Sequence, residues 1–272
     1  APYLLKKHRS GARLGHDTAY DHMFLDGLED AYEEGRAMGT FAQETANEYQ
    51  LTREEMDDYS IESLRRANAA IESGAFDGEV VPVTIVTRKG ETTVEHDEAP
   101  SKGKPDKIPQ LRPAFAKDGT ITAATSSSIS DGAAAVVLSR ESVAKANGQQ
   151  PVAKIVAMAA HAQEPAQFTV APIGAIEKVL EKAGWSADEV ELWEVNEAFA
   201  CVAMFAMRDI GIPHDKINVN GGGTALGHPI GASGTRIIVT LLNALKQQGK
   251  KRGIASLCIG GGEATAVAVE MV

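Results

Sequence analysis

Val190-Glu191-Leu192-Trp193-Glu194-Val195-Asn196-Glu197-Ala198-Phe199-Ala200-Cys201-Val202-Ala203-Met204-Phe205-Ala206-Met207-Arg208 is the stretch on which the fold turns. Val190–Val195 is β-rich and predicts a strand, and Glu197–Arg208 predicts a helix directly after it. The helical part is apolar nearly all round from Ala198 to Met207, so it must be buried on more than one side. Asn196 stands at the junction, where a side chain can be presented over a rigid sheet. It could equally be a plain N-cap.

The same texture extends in both directions from Asp131 onward. Ala133–Leu138 and Val152–Ala160 predict buried strands, and Ile217–Val219 a short one. Pro172–Ala183 predicts a helix with Pro near its start and Gly184 past its end, the favoured asymmetry. Ile230–Lys246 predicts a helix that opens with small residues, Gly231 to Gly234, which would let another backbone approach. Ile254–Ile259 and Ala264–Val269 predict two strands close enough to form a hairpin through Gly260, Gly261 and Gly262. Strands alternating with helices imply an α/β sheet covered by helices.

Residues 1–130 read differently: charged, broken and rich in turns. Leu51–Ser73 predicts an amphipathic helix with Thr52 and Glu55 as a capping box and Gly74 closing it. Val80–Thr87 and Thr92–Glu95 predict short strands, and Pro100–Pro113, with four prolines, a loop. The 272 residues suffice for one large domain or two modest ones. A net charge of -10 argues against nucleic acid as the main partner. It leaves room for an anionic small ligand on a local cluster such as Lys102, Lys104 and Lys107, which is otherwise a solvated loop. Two cysteines, Cys201 and Cys258, make no disulfide framework and point to a reducing compartment. The N-terminal residues carry no signal-peptide pattern, and Ala198–Met207 is about half a membrane span. A soluble, cytoplasmic protein is the expectation.

Three motifs hold side chains suited to chemistry: Asn196-Glu197-Ala198-Phe199, Gly227-His228-Pro229-Ile230-Gly231 and Cys258-Ile259-Gly260-Gly261-Gly262. Glycines directly after a cysteine let backbone N–H groups face a ligand beside a thiol. Cys201, inside the apolar helix, reads as core. Taken together and in this order, the three motifs resemble the thiolase family. Gly221-Gly222-Gly223, Leu111-Arg112-Pro113-Ala114-Phe115 and Ser130-Asp131-Gly132-Ala133-Ala134-Ala135 carry the resemblance across the chain.

The resemblance implies the layered αβαβα thiolase fold, with residues 1–130 as the loop domain that holds coenzyme A and residues 131–272 as the C-terminal half. It implies an acyl-CoA acyltransferase that joins or splits acyl-CoA molecules at a carbon–carbon bond, as in fatty acid metabolism. Coenzyme A is substrate or product carrier, and neither a tightly bound cofactor nor a metal is expected. Cys258 is similar to the acid/base cysteine, His228 to the imidazole that activates the nucleophile and donates to the thioester oxygen, and Asn196 to the residue completing that oxyanion hole. The Gly260 N–H matches a donor of the second hole. A thiol with pKa about 8.5 would need a neighbouring imidazole or dipole, and His228 would supply it. Ser127, Phe115, Met38 and Phe168 fall where the family lines the pantetheine or acyl tunnel, and Lys102 and Lys104 are candidates for the CoA phosphates. Ala37 stands where the family often has a histidine.

The family's nucleophilic cysteine lies upstream of the loop domain, and neither Cys201 nor Cys258 matches it. The expectation is therefore a chain inactive alone that needs the N-terminal half or a partner chain, within a dimer or tetramer. Two other readings stay open: a ketoacyl synthase of the same fold, and a non-catalytic CoA-binding scaffold.

Overall fold

The computed structural model describes residues 1–272. In the first part, β1 (Tyr3–Leu4) pairs antiparallel with β2 (Tyr20–Asp21), and two long helices follow, α1 (Met38–Glu48) and α2 (Arg53–Glu72). The predicted capping box starts α2: Thr52 Oγ1 accepts the Glu55 N–H at 3.2 Å, and the Glu55 carboxylate accepts the Thr52 N–H at 2.8 Å. Two N–H groups that the helix cannot satisfy are thereby paired. Gly74 leaves the helix at φ +73°, where a Cβ would be strained. β3 (Val83–Thr87) and β4 (Gly90–Val94) form an exposed hairpin.

The segment read as a loop from Pro100 to Pro113 is more ordered than expected. It contains most of α3 (Glu98–Lys102) and a 3-10 helix over Pro105–Gln110. Pro105 sits in the first turn of the latter, where a missing N–H breaks no intrahelical bond.

After α4 (Glu141–Ala146), the second part builds β5 (Ala153–Ala162), α5 (Ala171–Ala183), β6 (Leu192–Val195), α6 (Ala200–Ile210), α7 (Gly223–Leu226), α8 (Ile230–Gln247), β7 (Arg252–Ile259) and β8 (Glu263–Met271). The sheet order is β5-β8-β7-β6, antiparallel at the first two contacts and parallel between β7 and β6. The pleat divides the apolar side chains between two cores. Trp193, Val195, Ile254 and Cys258 join α5 and α6 on one face. Leu192, Ala255 and Val269 join Ile237, Leu241 and Leu245 of α8 on the other. Phe41 and Ala46 of α1, with Met56 and Tyr59 of α2, enter the first core, so both parts share it.

Three further expectations change. Ala133–Leu138 forms no strand, and Val137 and Leu138 are 96% and 72% exposed. A strand needs a neighbouring ladder for its N–H and C=O groups, and none lies beside this segment. Ile217–Val219 reduces to one parallel bridge, Trp193 to Ile217, because Asn218 turns left-handed at φ +45°. α6 begins at Ala200 rather than Glu197, with extended Phe199 as N-cap, so Asn196 is not the cap. At the start of α8 a Cβ built on Gly231 would meet nothing within 4 Å. No helix is long and apolar enough to cross a membrane.

Candidate active site

Asn196 and His228 meet. Asn196 follows the last residue of β6, and its N–H continues the parallel ladder to the Ser256 carbonyl of β7 at 2.9 Å. Its side chain is buried, with Nδ2 3.3 Å from His228 Nε2. His228 reaches this point on the turn between α7 and α8. There Gly227 takes φ +96°, and the His228 N–H is held by the Ser128 carbonyl at 3.1 Å. A Cβ at Gly227 would collide with Ser130 Oγ, so glycine is required by space as well as by backbone angle.

The other ring nitrogen is fixed by a residue that the sequence reading missed. Ser233 Oγ lies 2.5 Å from His228 Nδ1 and 3.2 Å from the Pro229 carbonyl. A hydroxyl has one proton for these two acceptors. When it goes to Pro229, the ring carries Nδ1–H and Nε2 offers a lone pair, the form that can take a proton. When it goes to Nδ1, Nε2 carries the proton and can donate to a carbonyl oxygen. The Asn196 amide nitrogen at Nε2 is itself a donor and fits the first form; the second form needs a carbonyl oxygen at Nε2 in its place. Burial, with the Arg236 cation second, lowers the His228 pKa to about 4, so the ring is neutral at neutral pH.

Cys258 is the next-to-last residue of β7, two positions beyond the carbonyl that anchors Asn196. It is 7% exposed, and burial pushes its pKa up to about 12. This corrects the expectation that an imidazole or dipole lowers it: at neutral pH Cys258 is a thiol, an acid before it is a base. Gly260 opens the β7–β8 turn, and its exposed N–H is taken by no backbone carbonyl. Gly261 and Gly262 follow at φ +90° and +84°.

Several expected tunnel residues gather nearby. Met38 Sδ would lie 3.4 Å from a Cβ built on Gly260. The Phe115 ring covers Gly39 and stands edge-on to Phe199 at 6.0 Å between centroids. Phe168 is buried in the core that also holds Phe199 and Cys258 and exposes little to a ligand. Ser127 donates both its N–H and its hydroxyl to the Ala198 carbonyl, at 3.0 and 2.9 Å, tying its loop to the turn after Asn196. Lys102 pairs with Glu98 at 3.6 Å on α3, and Lys104 and Lys107 are exposed along the 3-10 helix. An open cleft of about 430 Å³ lies beside His228, between Ser130–Ala134 and Pro229–Ala232.

Glu197 is a second residue whose role the sequence reading did not find. Its buried carboxylate accepts from Tyr59 Oη, Ser63 Oγ, Asn218 Nδ2, and the N–H and Oγ1 of Thr224, at 2.7 to 3.1 Å. These bonds join α2, the Asn218 turn and α7 to the residue next to Asn196. A charge placed before an apolar helix was the one available signal, because such a group must be paired if buried.

Family profiles decide the relationship. One described as "Thiolase, N-terminal domain" matches residues 1–142, and one described as "Thiolase, C-terminal domain" matches residues 149–271. The chain belongs to the thiolase family. As a thiolase it is 46% identical over 270 residues to a probable acetyl-CoA acetyltransferase of Dictyostelium discoideum, covering 99% of this chain and 65% of that protein. It is 47% identical over 272 residues to the acetyl-CoA acetyltransferase of Escherichia coli K12, covering 99% and 69%. The crystal structure of a Bacillus anthracis acetyl-CoA acetyltransferase matches with a TM-score of 0.96 at 42% identity, over 100% of this chain and 69% of that one. An Ascaris suum thiolase solved in complex with coenzyme A matches at 0.88 and 37%, with the same coverage. These likenesses establish the thiolase fold. The chain spans about two thirds of the length of the relatives it matches.

Proposed function

We propose that these residues form the oxyanion and proton-transfer portion of an acetyl-CoA C-acetyltransferase, acting in Claisen condensation or its thiolytic reverse. The observation that carries this reading is the Asn196–His228–Ser233 arrangement beside the end of the strand that bears Cys258. In condensation Cys258, as thiolate, takes a proton from the α-carbon of acetyl-CoA. The resulting enolate attacks the acyl carbon of an acyl-cysteine, and the carbon–sulfur bond to that cysteine breaks. In thiolysis the Cys258 thiol returns the proton to the departing carbon, which suits its protonated state at neutral pH. His228 Nε2–H, with Asn196 beside it, faces the thioester oxygen where charge develops, and the Gly260 N–H serves the second oxyanion. Loss of one such donor costs on the order of a hundred- to a thousandfold in rate.

Coenzyme A is the carrier in this reading. Residues 1–130 act as its cap, with Met38, Phe115 and Ser127 along the pantetheine, and residues 131–272 form the catalytic half. The acyl-carrying thiol comes from outside these residues, since Cys201 is fully buried in α6 and Cys258 is the acid/base. The exposed side chains of Ile129, Val136, Val137, Leu138 and Ile230 support this reading, since a further part of the architecture or a partner chain would cover them. Two free cysteines fit a reducing, cytoplasmic setting, and assembly as a dimer or tetramer belongs to the same reading.

Acetyl-CoA incubated with the chain in D2O tests the assignment. Deuterium should enter the acetyl methyl and should not do so with Cys258→Ala. Coenzyme A binding with no exchange would replace it with the scaffold reading. Full-rate turnover by these 272 residues alone would overturn the need for an outside nucleophile.

A further inference from the structure

The glycine turn after Cys258 is anchored from outside its hairpin by one residue. Gly260, Gly261 and Gly262 make a single backbone hydrogen bond between them: the Gly262 carbonyl accepts the Gln163 N–H at 2.9 Å. Gln163 directly follows β5, whose final pair with β8 is Ala162 and Glu263, so this bond carries the ladder one step into the turn. The approach is close. Gly262 is buried, and a Cβ on it would collide with the Gln163 and Glu164 carbonyls. The Gly260 N–H, at the exposed end of the same turn, has no bond of its own to fix its direction.

The Gln163 side chain is itself locked. Its Oε1 lies 2.9 Å from His161 Nε2, and its Nε2 donates to the Gln167 carbonyl at 2.9 Å, across the 3-10 helix Pro165–Gln167. His161 Nδ1 lies 2.9 Å from Lys178 Nζ of α5. A lysine ammonium has donors only, so Nδ1 accepts, the ring proton sits on Nε2, and it points to Gln163 Oε1. Each link then has one donor and one acceptor, from Lys178 through His161 and Gln163 to the Gln167 carbonyl. The His161 ring presses on α5 where Gly174 leaves room, since a Cβ there would lie 2.7 Å from three ring atoms. At the far end Gln167 Nε2 donates to Oε2 of Glu48 at 3.3 Å. Glu48 ends α1, whose first residue, Met38, packs by Gly260.

We infer that Gln163, braced by His161, is a positioning residue for the Gly260 N–H: the bridge from α5 fixes the Gln163 backbone, and that backbone fixes the glycine turn. Three glycines in a row with one anchor would otherwise sample many conformations. The inference rests on the reading of the Gly260 N–H as an oxyanion donor. It goes beyond that reading by naming what aims the donor.

NMR relaxation of the backbone amides in the glycine-labelled chain tests it without substrate, with Gly260 assigned by Gly260→Ala. The wild-type Gly260 amide should have an order parameter of about 0.85, and in Gln163→Ala it should fall below about 0.6. Gly211, past the end of α6, should keep its value in both. His161→Phe keeps a ring against Gly174 but loses the Nε2–H, and it should loosen Gly260 in the same way. In acetyl methyl exchange, Gln163→Ala should slow the maximal rate by about tenfold or more and leave KM for acetyl-CoA unchanged. An unchanged Gly260 order parameter in folded Gln163→Ala, or an equal fall at Gly211, overturns the proposal. If that variant does not fold, an unchanged Gly260 in His161→Phe overturns it instead. A wild-type chain that fails to exchange would strike the oxyanion reading alone, because the anchoring of the turn is read from the amides.

Discussion

Ser233 Oγ and His228 Nδ1 are 2.5 Å apart, across the first turn of α8. The ring's tautomer is therefore set by a hydroxyl five residues further on together with the Asn196 amide nitrogen at Nε2, and it decides whether Nε2 accepts or donates. The pairing is local in sequence and comes with the helix start, so forming α8 and orienting the imidazole are one event.

Ser233→Ala removes that control. It leaves a buried ring nitrogen without its partner, at a cost of about 1–3 kcal/mol. Urea unfolding should show the loss. Retention of full stability together with full methyl exchange would show that the hydroxyl is dispensable.

The pH response follows from His228. Its folded pKa, about 4, lies below the ordinary 6.5, so the unfolded chain binds a proton first as pH falls. The stabilisation from the neutral ring is complete above 6.5, declines as pH drops, and is gone below about 4. Glu194, raised to about 8, acts in the opposite sense: its contribution declines as pH rises from 4.5 through 8. The stability difference between wild type and His228→Gln cancels the Glu194 contribution. That difference should grow between pH 4 and 6.5, by up to about 3 kcal/mol, and then stay flat. A difference independent of pH would mean that the ring titrates normally.

Glu197→Ala strands the Tyr59, Ser63 and Thr224 donors around an empty centre and takes one acceptor from Asn218, which keeps the Val195 carbonyl. With each buried unpaired group worth about 1–3 kcal/mol, a total loss of about 3 kcal/mol or more is expected in chemical denaturation. Glu197→Gln should lose less, because it keeps an acceptor. Equal losses would show that the charge, not the bond count, matters.

Both cysteines should resist alkylation in the native chain. At pH 7 a thiol with pKa about 12 is ionised in roughly one molecule in a hundred thousand, and Cys201 is fully buried and pushed higher still. Iodoacetamide labelling followed by mass spectrometry should find them unmodified until denaturant is added. Rapid native labelling of Cys258 would mean that its thiolate is stabilised by something beyond the groups packed on it here.

Sequence by itself determined what is local. The capping box at Thr52 and Glu55, the αL exit at Gly184, the β7–β8 hairpin and the burial of Ala198–Met207 all came from spacing and side-chain chemistry within one turn or one strand. The three motifs at strand and helix ends identified the family. Only the tertiary structure decided what depends on partners far along the chain. Ala133–Leu138 has the composition of a strand, but a strand exists only where a neighbour completes its ladder. Glu197 stands in a motif that the sequence singles out, but only packing shows which groups pair with its carboxylate. Those partners lie 21 to 138 residues away. The Cys258 thiol is raised rather than lowered for the same reason: burial is a property of the assembled core, and no motif carries it.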